Sequence, residues 1–351
     1  MWPEARIQQL TQSAAAMFAR GAVRYTLIPS SDYHFCDDYA ADLRGVLDPV
    51  FQYIPPRENL TDVDIILLTA HGSDVSHVIW HIRRKLGGDK LVGVWLWDNH
   101  LQHEPNLQTA YASDFVFPSH KYVSDYLITP TSIPGGHVPH CCTQWQREQA
   151  VACFEQFRNV ARSDRLLVNY VDYPFSPRTQ LLRVLKSQMP EANVLLMAPN
   201  ERSRYYGKTR VERFKEWMEH KCTLILPVDR DLSQRVFDAL LCGQILLVPN
   251  IIADFDEVIP PAIQTELGII KLQSLQIGVI REAAARAARV FDEMGSGGVE
   301  ARHRYVLDNH MMVNRIRTML DRIKSVATGE SSVIFDGNST LRYGLHLKGP
   351  A

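Results

Sequence analysis

With 351 residues, 46% of them hydrophobic and 22% charged, the chain is too long for one small module. It is also too ordinary in composition for a disordered, collagen-like or disulfide-dense protein, and at about 150 residues per domain it should form two domains with a sizeable core. Lys and Arg number 38 against 39 Asp and Glu, a formal charge of -1, so there is no broad basic field for nucleic acid and any phosphate must be gripped locally.

The first apolar stretch, Ala14–Ala19, follows acidic Glu4 and is too short for a secretory leader. No run reaches the roughly 18 apolar residues of a membrane span, which leaves only surface contact with a membrane. Six cysteines (Cys36, Cys141, Cys142, Cys153, Cys222, Cys242) fall at irregular spacings, two of them inside apolar segments, and this reads as a reducing, cytoplasmic setting.

After a helical start over Glu4–Arg20, short runs rich in β-branched residues alternate with helical patterns, the mark of parallel α/β construction. Strands are expected at Tyr25–Ile28, Val50–Ile54, Asp64–Thr69, Leu91–Leu96 and Phe115–Phe117, with helices at Asp37–Leu47, Asp74–Leu86 and His120–Leu127. The Pro-, Gly-, Ser- and Thr-rich stretch Pro130–Gly136 leads into an interdomain linker. The rhythm then repeats with strands Leu166–Val171, Val194–Met197, Thr223–Val228, Ile245–Val248 and Ile269–Leu272 around helices Pro177–Gln188, Arg210–His220 and Leu232–Cys242. One long amphipathic pattern runs from Val299 to Val326, and Gly329–Ala351 reads as a loose tail.

Doubly wound sheets bind ligands beyond their strand C-termini, where helix N-termini gather. The clearest such place is Cys222–Val228 followed by a helix on which Val236, Phe237, Leu240 and Leu241 form an apolar arc. Arg235 and Asp238, three apart, share its other side. Arg235 could meet a diphosphate and Asp238 both ribose hydroxyls, or the two could simply form an i,i+3 ion pair. Arg178 follows the N-cap and first-turn pair Ser176-Pro177, where free N–H groups face the crevice. Lys208 adds a further cation.

In the first half, Asp64–Thr69 runs on to His71, and Leu91–Leu96 runs on to Asp98 and His100. An acceptor hydroxyl needs such a base within hydrogen-bond reach. If the second strand continues, Asp98 and His100 lie on opposite sides and only one faces the ligand. His77 and His81 lack the Glu of a zinc-protease helix, and Val78-Ile79-Trp80 between them reads as packing. His137, His140, Cys141 and Cys142 could in principle gather a metal, but adjacent cysteines on one strand point apart, and they are assigned to the linker. No P-loop, nucleophile elbow or G-x-G-x-x-G fingerprint is present, which argues against a P-loop ATPase, a common hydrolase and a typical dehydrogenase.

The segment Ser233-Gln-Arg-Val-Phe-Asp-Ala-Leu-Leu-Cys-Gly243 resembles the S-x-R-x-F-E-x-x-x-C-G segment of the group 1 glycosyltransferases, in particular the CgeB-like branch of the GT-B fold. Leu166–Arg178 with Leu181-Leu182 is similar to the opening strand, loop and helix of that family's donor domain, and Arg304–His310 with Arg315 to its terminal helix. The likeness implies an α/β protein of two Rossmann-like domains facing each other across a cleft. Its parts would be an acceptor domain over 1–140, a linker over 141–164, a donor domain over 165–298, a terminal helix over 299–328 that can cross back, and a tail over 329–351.

It also implies transfer of a sugar from a nucleotide diphosphate sugar, the co-substrate, to a hydroxyl of a carbohydrate or cell-envelope acceptor. Ser233, Arg178, Lys208 and Arg235 would lie at the donor, Asp238 at the ribose, and His71, Asp98 or His100 at the acceptor. A nucleotide-sugar epimerase and a non-catalytic sugar-binding scaffold of the same fold are the other readings. Retaining members carry an E-x7-E pair, and Arg230 stands where its first Glu would be. No cofactor or metal is expected, since Arg230 separates Asp229 from Asp231, the one tight acidic group on the donor side, while Arg178 and Arg235 already supply positive charge.

Overall fold

Two apolar runs, Ile65–Ala70 (β3) and Leu91–Leu96 (β4), are buried at every position. A strand buried on both faces needs cover on both faces, the condition of a parallel α/β sheet. The computed structural model describes residues 3–29, 40–43, 47–56, 60–70, 75–98, 101–173, 176–198, 207–336 and 344–348. In it β3 and β4 pair in parallel, Ile65 opposite Leu91 through Ala70 opposite Leu96. They join β1 (Val23–Ile28), β2 (Phe51–Tyr53), β5 (Phe115–Pro118) and β6 (Ile133–Pro134) in a six-stranded sheet of order β2-β1-β3-β4-β5-β6.

The chain forms two compact units, Met1–His140 with Val313–Ala351, and Cys141–Met312. In the first, the six-stranded sheet is wound with α1 (Pro3–Ala19), α2 (Ala40–Leu43), α3 (Val75–Leu86) and α4 (His103–Ala112). Ile66, Leu68, Val92, Val94 and Val116 pack with Val75, Ile79 and Ile82 of α3 in one apolar cluster. Buried Asp114, just before β5, accepts 2.8 Å ion pairs from Arg6 of α1 and Arg83 of α3, and its other oxygen accepts the Val92 N–H at 2.9 Å. One carboxylate thereby ties two helices to the sheet.

The second unit has β7 (Leu167–Val171), β8 (Asn193–Met197), β9 (Cys222–Leu224), β10 (Ile245–Pro249) and β11 (Ile270–Leu272), parallel throughout in the order β11-β10-β9-β7-β8. Its helices are α5 (Arg147–Phe157), α6 (Pro177–Gln188), α7 (Arg210–Met218), α8 (Arg235–Leu241), α9 (Phe255–Val258), α10 (Pro261–Glu266) and α11 (Ile277–Asn309). Because β7 comes first and lies between β8 and β9, the winding reverses at β7, and the crevice beyond its C-terminal end is the switch point where such sheets bind ligands. The fold class, two parallel α/β domains, is the one expected.

Several elements differ from the sequence expectation. Helix α4 was not among the expected helices; its Pro105 falls in the first turn, where a missing N–H costs no helical hydrogen bond. Helix α11 is kinked at Gly295 (φ 57°, ψ -155°), so the terminal helical stretch begins close to the expected Val299; it breaks again at His310 (φ -134°, ψ 27°), and a separate helix α12 (Met312–Ala327) follows. The helical piece expected around Trp145–Arg158 is α5, and it falls within the second unit. The tail holds an antiparallel pair, β12 (Ser332–Asp336) with β13 (Gly344–Lys348). Among the described residues no helix is long and apolar enough to cross a membrane.

Helix α12 belongs to the first unit through its basic side chains. Arg322 donates 2.9 Å bonds to the carbonyls of Gly135 and His137, and Lys324 pairs with Asp48 at 2.5 Å. Gly135 itself lies against Phe117, and a Cβ placed there would fall 2.1 Å from the ring. Gly135→Ala is therefore expected to cost about 1–3 kcal/mol, the usual penalty for overpacking. A urea midpoint equal to wild type would show that the ring swings aside freely.

Candidate functional site

At the switch point of the second unit the Tyr170 hydroxyl bridges two strands, donating to the Leu224 carbonyl at 2.9 Å and accepting the Leu226 N–H at 2.8 Å. This fixes the aromatic face on which two arginines converge. The Arg235 guanidinium lies 4.3 Å from the Tyr170 ring centre and donates to Asn169 Oδ1 at 2.7 Å. The Arg178 guanidinium lies 4.9 Å from the same ring and 4.8 Å from that of Tyr173. Ser176 caps α6, its hydroxyl accepting the Arg178 N–H at 3.3 Å, and so sets Arg178 in the first turn.

Among the described residues neither guanidinium forms an ion pair with a carboxylate, and Arg178 is 9% exposed. Burial pulls the Arg178 pKa down, and repulsion from Arg235 adds to the fall. Arg178 Nε and Ser233 Oγ are buried without a hydrogen-bond partner among the described residues. Two cations stacked on one ring, with unsatisfied donors beside them, are the electrostatic complement of a multiply charged anion.

Asp238 sits on α8, 2% exposed, accepting Gln144 Nε2 at 2.6 Å. Burial lifts its pKa to about 6, against the lowering effects of hydrogen bonds from Gln144 and Cys142 and of the Arg235 and Arg213 charges. No ion pair joins it to Arg235, so the i,i+3 pairing is not what holds these two residues. Lys208 is not brought to the arginines: its ammonium pairs with Glu216 of α7 at 2.7 Å. Asn169, Tyr170 and Gln144 were missed by the sequence reading. The signal for the first two was two polar groups inside an otherwise apolar strand; Gln144, 94 residues from Asp238, left none.

In the first unit, His71 and His100 lie outside the described residues. Asp98 follows the end of β4 with φ 49°, so the strand does not continue through it. One oxygen of Asp98 and one ring nitrogen each of His120 and His140 lie within 4.8 Å of one another. His137 and Cys142 are not in this group. His137 Nε2 is 3.1 Å from the Ser119 carbonyl, and Cys142 lies beside Asp238 in the second unit.

No protein-family model matches the chain, and no curated protein does. Among solved structures it is similar to a UDP-forming α,α-trehalose-phosphate synthase from Burkholderia xenovorans at 13% identity and TM-score 0.44, covering 76% of this chain and 75% of that one. It is similar also to Anabaena HepE in complex with UDP and glucose, at 10% identity and TM-score 0.49, covering 87% of this chain and 99% of that one. A third is the catalytic domain of starch synthase IV from Arabidopsis thaliana bound to ADP and acarbose, at 9% identity and TM-score 0.47, covering 76% and 73%.

Proposed function

We propose that the second unit binds a nucleoside diphosphate sugar and that the protein transfers the sugar to a hydroxyl of a carbohydrate or cell-envelope acceptor, as a GT-B glycosyltransferase of the CgeB-like branch. The observation that carries this reading is the pair of buried Arg178 and half-buried Arg235 on the Tyr170 ring, without carboxylate partners among the described residues, at the switch point of a parallel sheet. As the glycosidic bond breaks, the diphosphate leaving group gains negative charge. Cations already fixed in a low-dielectric crevice stabilise that charge more than the ground state, with no reorganisation.

Ser233 Oγ would donate to a phosphate oxygen. Asp238 would take the ribose hydroxyls in place of the Gln144 amide it now accepts. One of His71, Asp98 and His100 would position or deprotonate the acceptor hydroxyl. Lys208, engaged by Glu216, has no part in this account. The diphosphate is held without a metal, because the two guanidinium groups supply the charge that a divalent cation would otherwise bring. The buried thiols Cys153, Cys222 and Cys242 fit a reducing, cytoplasmic setting.

A thermal-shift series with UDP, ADP and GDP tests the reading, since a ligand that binds only the folded chain raises stability as RT ln(1 + [L]/Kd). A shift with one diphosphate that persists in EDTA is expected. No shift with any of them, or one that needs added Mg²⁺ or Mn²⁺, would overturn the metal-free donor site. For turnover, Asp98→Asn is expected to cut the transfer rate about a hundredfold if Asp98 is the base, with nucleotide affinity unchanged. A wild-type rate passes the role to His71 or His100.

A further inference from the structure

The geometry points to a metal site in the first unit: we propose that Asp98, His120 and His140 bind a divalent transition-metal ion of the zinc class, a role for Asp98 that leaves the acceptor base to His71 or His100. The three residues follow three consecutive strands of the parallel sheet. Asp98 comes two residues after β4, His120 two residues after β5, and His140 on the segment that continues from β6. Parallel strands in the order β4-β5-β6 bring their C-terminal ends side by side, so residues 22 and 20 apart in sequence meet at one edge of the sheet.

The side chains are held rather than merely close. His120 and His140 are buried, at 1% and 4% exposure, with ring centres 5.0 Å apart. The Trp97 ring meets His140 edge-on at 4.7 Å. The backbone of His140 is pinned from both sides: Trp95 Nε1 donates to the Val138 carbonyl at 2.7 Å, and Arg315 Nη2 donates to the His140 carbonyl at 3.0 Å. Asp98 adopts φ 49°, a left-handed conformation that costs a non-glycine residue about 1–2 kcal/mol. It is stabilised there because its carbonyl accepts the Leu101 and Gln102 N–H groups, both at 2.8 Å. Strain of this kind persists where the surroundings over-determine the conformation, and it aims the carboxylate at the two imidazoles.

The donor set decides the class of ion. Two imidazole nitrogens and one carboxylate oxygen suit zinc and its first-row neighbours, whereas Mg²⁺ and Ca²⁺ prefer oxygen throughout. Bonds of about 2.0–2.1 Å in a tetrahedron put ligand atoms about 3.3 Å apart. Reaching that from separations of up to 4.8 Å needs only rotation about the terminal torsions of His and Asp, which are soft. Among the described residues the protein supplies three ligands, and Asp98, only half-buried, marks the side from which the site is reached.

The test is zinc titration of the full chain, stripped of metal beforehand, by calorimetry and by thermal shift. One equivalent per chain is expected. Asp98→Asn, His120→Ala and His140→Ala should each weaken binding at least tenfold and abolish the zinc-induced rise in melting temperature, while His137→Ala should leave both intact. Cobalt substituted for zinc should show d–d bands without a thiolate charge-transfer band. Undiminished zinc binding in a folded Asp98→Asn chain and in the His120→Ala/His140→Ala double variant, or a thiolate band pointing to Cys141 or Cys142, would overturn the proposal. None of these readouts depends on sugar transfer.

Discussion

Replacing Arg235 by alanine should cost the protein about 10- to 100-fold in affinity for the nucleoside diphosphate proposed as its ligand, and replacing Arg178 as well should bring the loss to about a thousandfold or more. A hydrogen bond to a charged group contributes about 1.5–3 kcal/mol, and 1.4 kcal/mol is tenfold in affinity. The two guanidinium groups share the Tyr170 ring and act on one anion, so their effects should be coupled rather than independent. Arg178→Lys keeps the charge but loses the planar fork, and should recover only part of the binding.

The same residues should matter little to the empty fold. Arg178 gives up its stacking on Tyr170 and Tyr173 when changed to Met, but the cost of burying an unpaired cation beside Arg235 goes with it. Arg178→Met is therefore expected within about 1 kcal/mol of wild type in stability. Arg281→Ala, which removes an exposed pair with Glu191, serves as the control. Wild-type nucleotide affinity in the folded double variant would end the diphosphate assignment.

Acid should act on the second unit through two buried groups of opposite sign. His303 of α11 stacks on Phe154 with ring centres 3.9 Å apart, and its Nδ1 lies 2.5 Å from the Leu241 carbonyl. Burial lowers its pKa from 6.5 to about 4. Between those values the unfolded chain binds a proton that the folded chain refuses, so stability present above pH 6.5 is lost as pH falls toward 4, by about 3 kcal/mol. Asp238 runs the other way. Burial raises its pKa from 3.8 to about 6, so the folded chain takes up the proton first and stability rises by about 3 kcal/mol as pH falls from 6 to 3.8.

In wild type the two contributions nearly cancel. His303→Gln should make the protein gain stability on acidification, and Asp238→Asn should make it lose stability more steeply than wild type. Urea midpoints for the three proteins between about pH 7 and about pH 4 measure this directly. Parallel pH profiles for all three would show that neither group is perturbed as stated.

The sheets were legible because each central strand is a continuous buried run; Leu91–Leu96 needed nothing beyond its own sequence to be found. Where the chain obeys a weaker rule the reading failed. The edge strand Ile133–Pro134 is too short to carry a pattern, and α12 is set off from α11 by the break at His310, where the chain pairs with Cys142. Arg178 and Arg235 were visible because helix starts and strand ends are local features. Their shared ring was not, since Tyr170 meets Arg235 only through the pairing of distant strands. Asp98, His120 and His140 show the limit more plainly. Asp98 and His140 were each noticed in sequence but for other groupings, His120 was not, and only strand order makes the three neighbours.

The chain crosses from one unit to the other twice, at 140–141 and again at 312–313, which makes the second unit an insertion within the first. Its two ends are fastened to each other: the Cys142 N–H donates to the His310 carbonyl at 2.9 Å, and Cys142 bridges Met311. On a ribosome, residues 141–312 can close as soon as they emerge. The first unit must wait for Arg315, Arg322 and Lys324 to arrive from the far end of the message. Nonsense or frameshift changes after residue 312 should therefore leave the second unit correctly formed beside a six-stranded sheet that never receives its last helix. The first unit, although translated first, would be the last to fold.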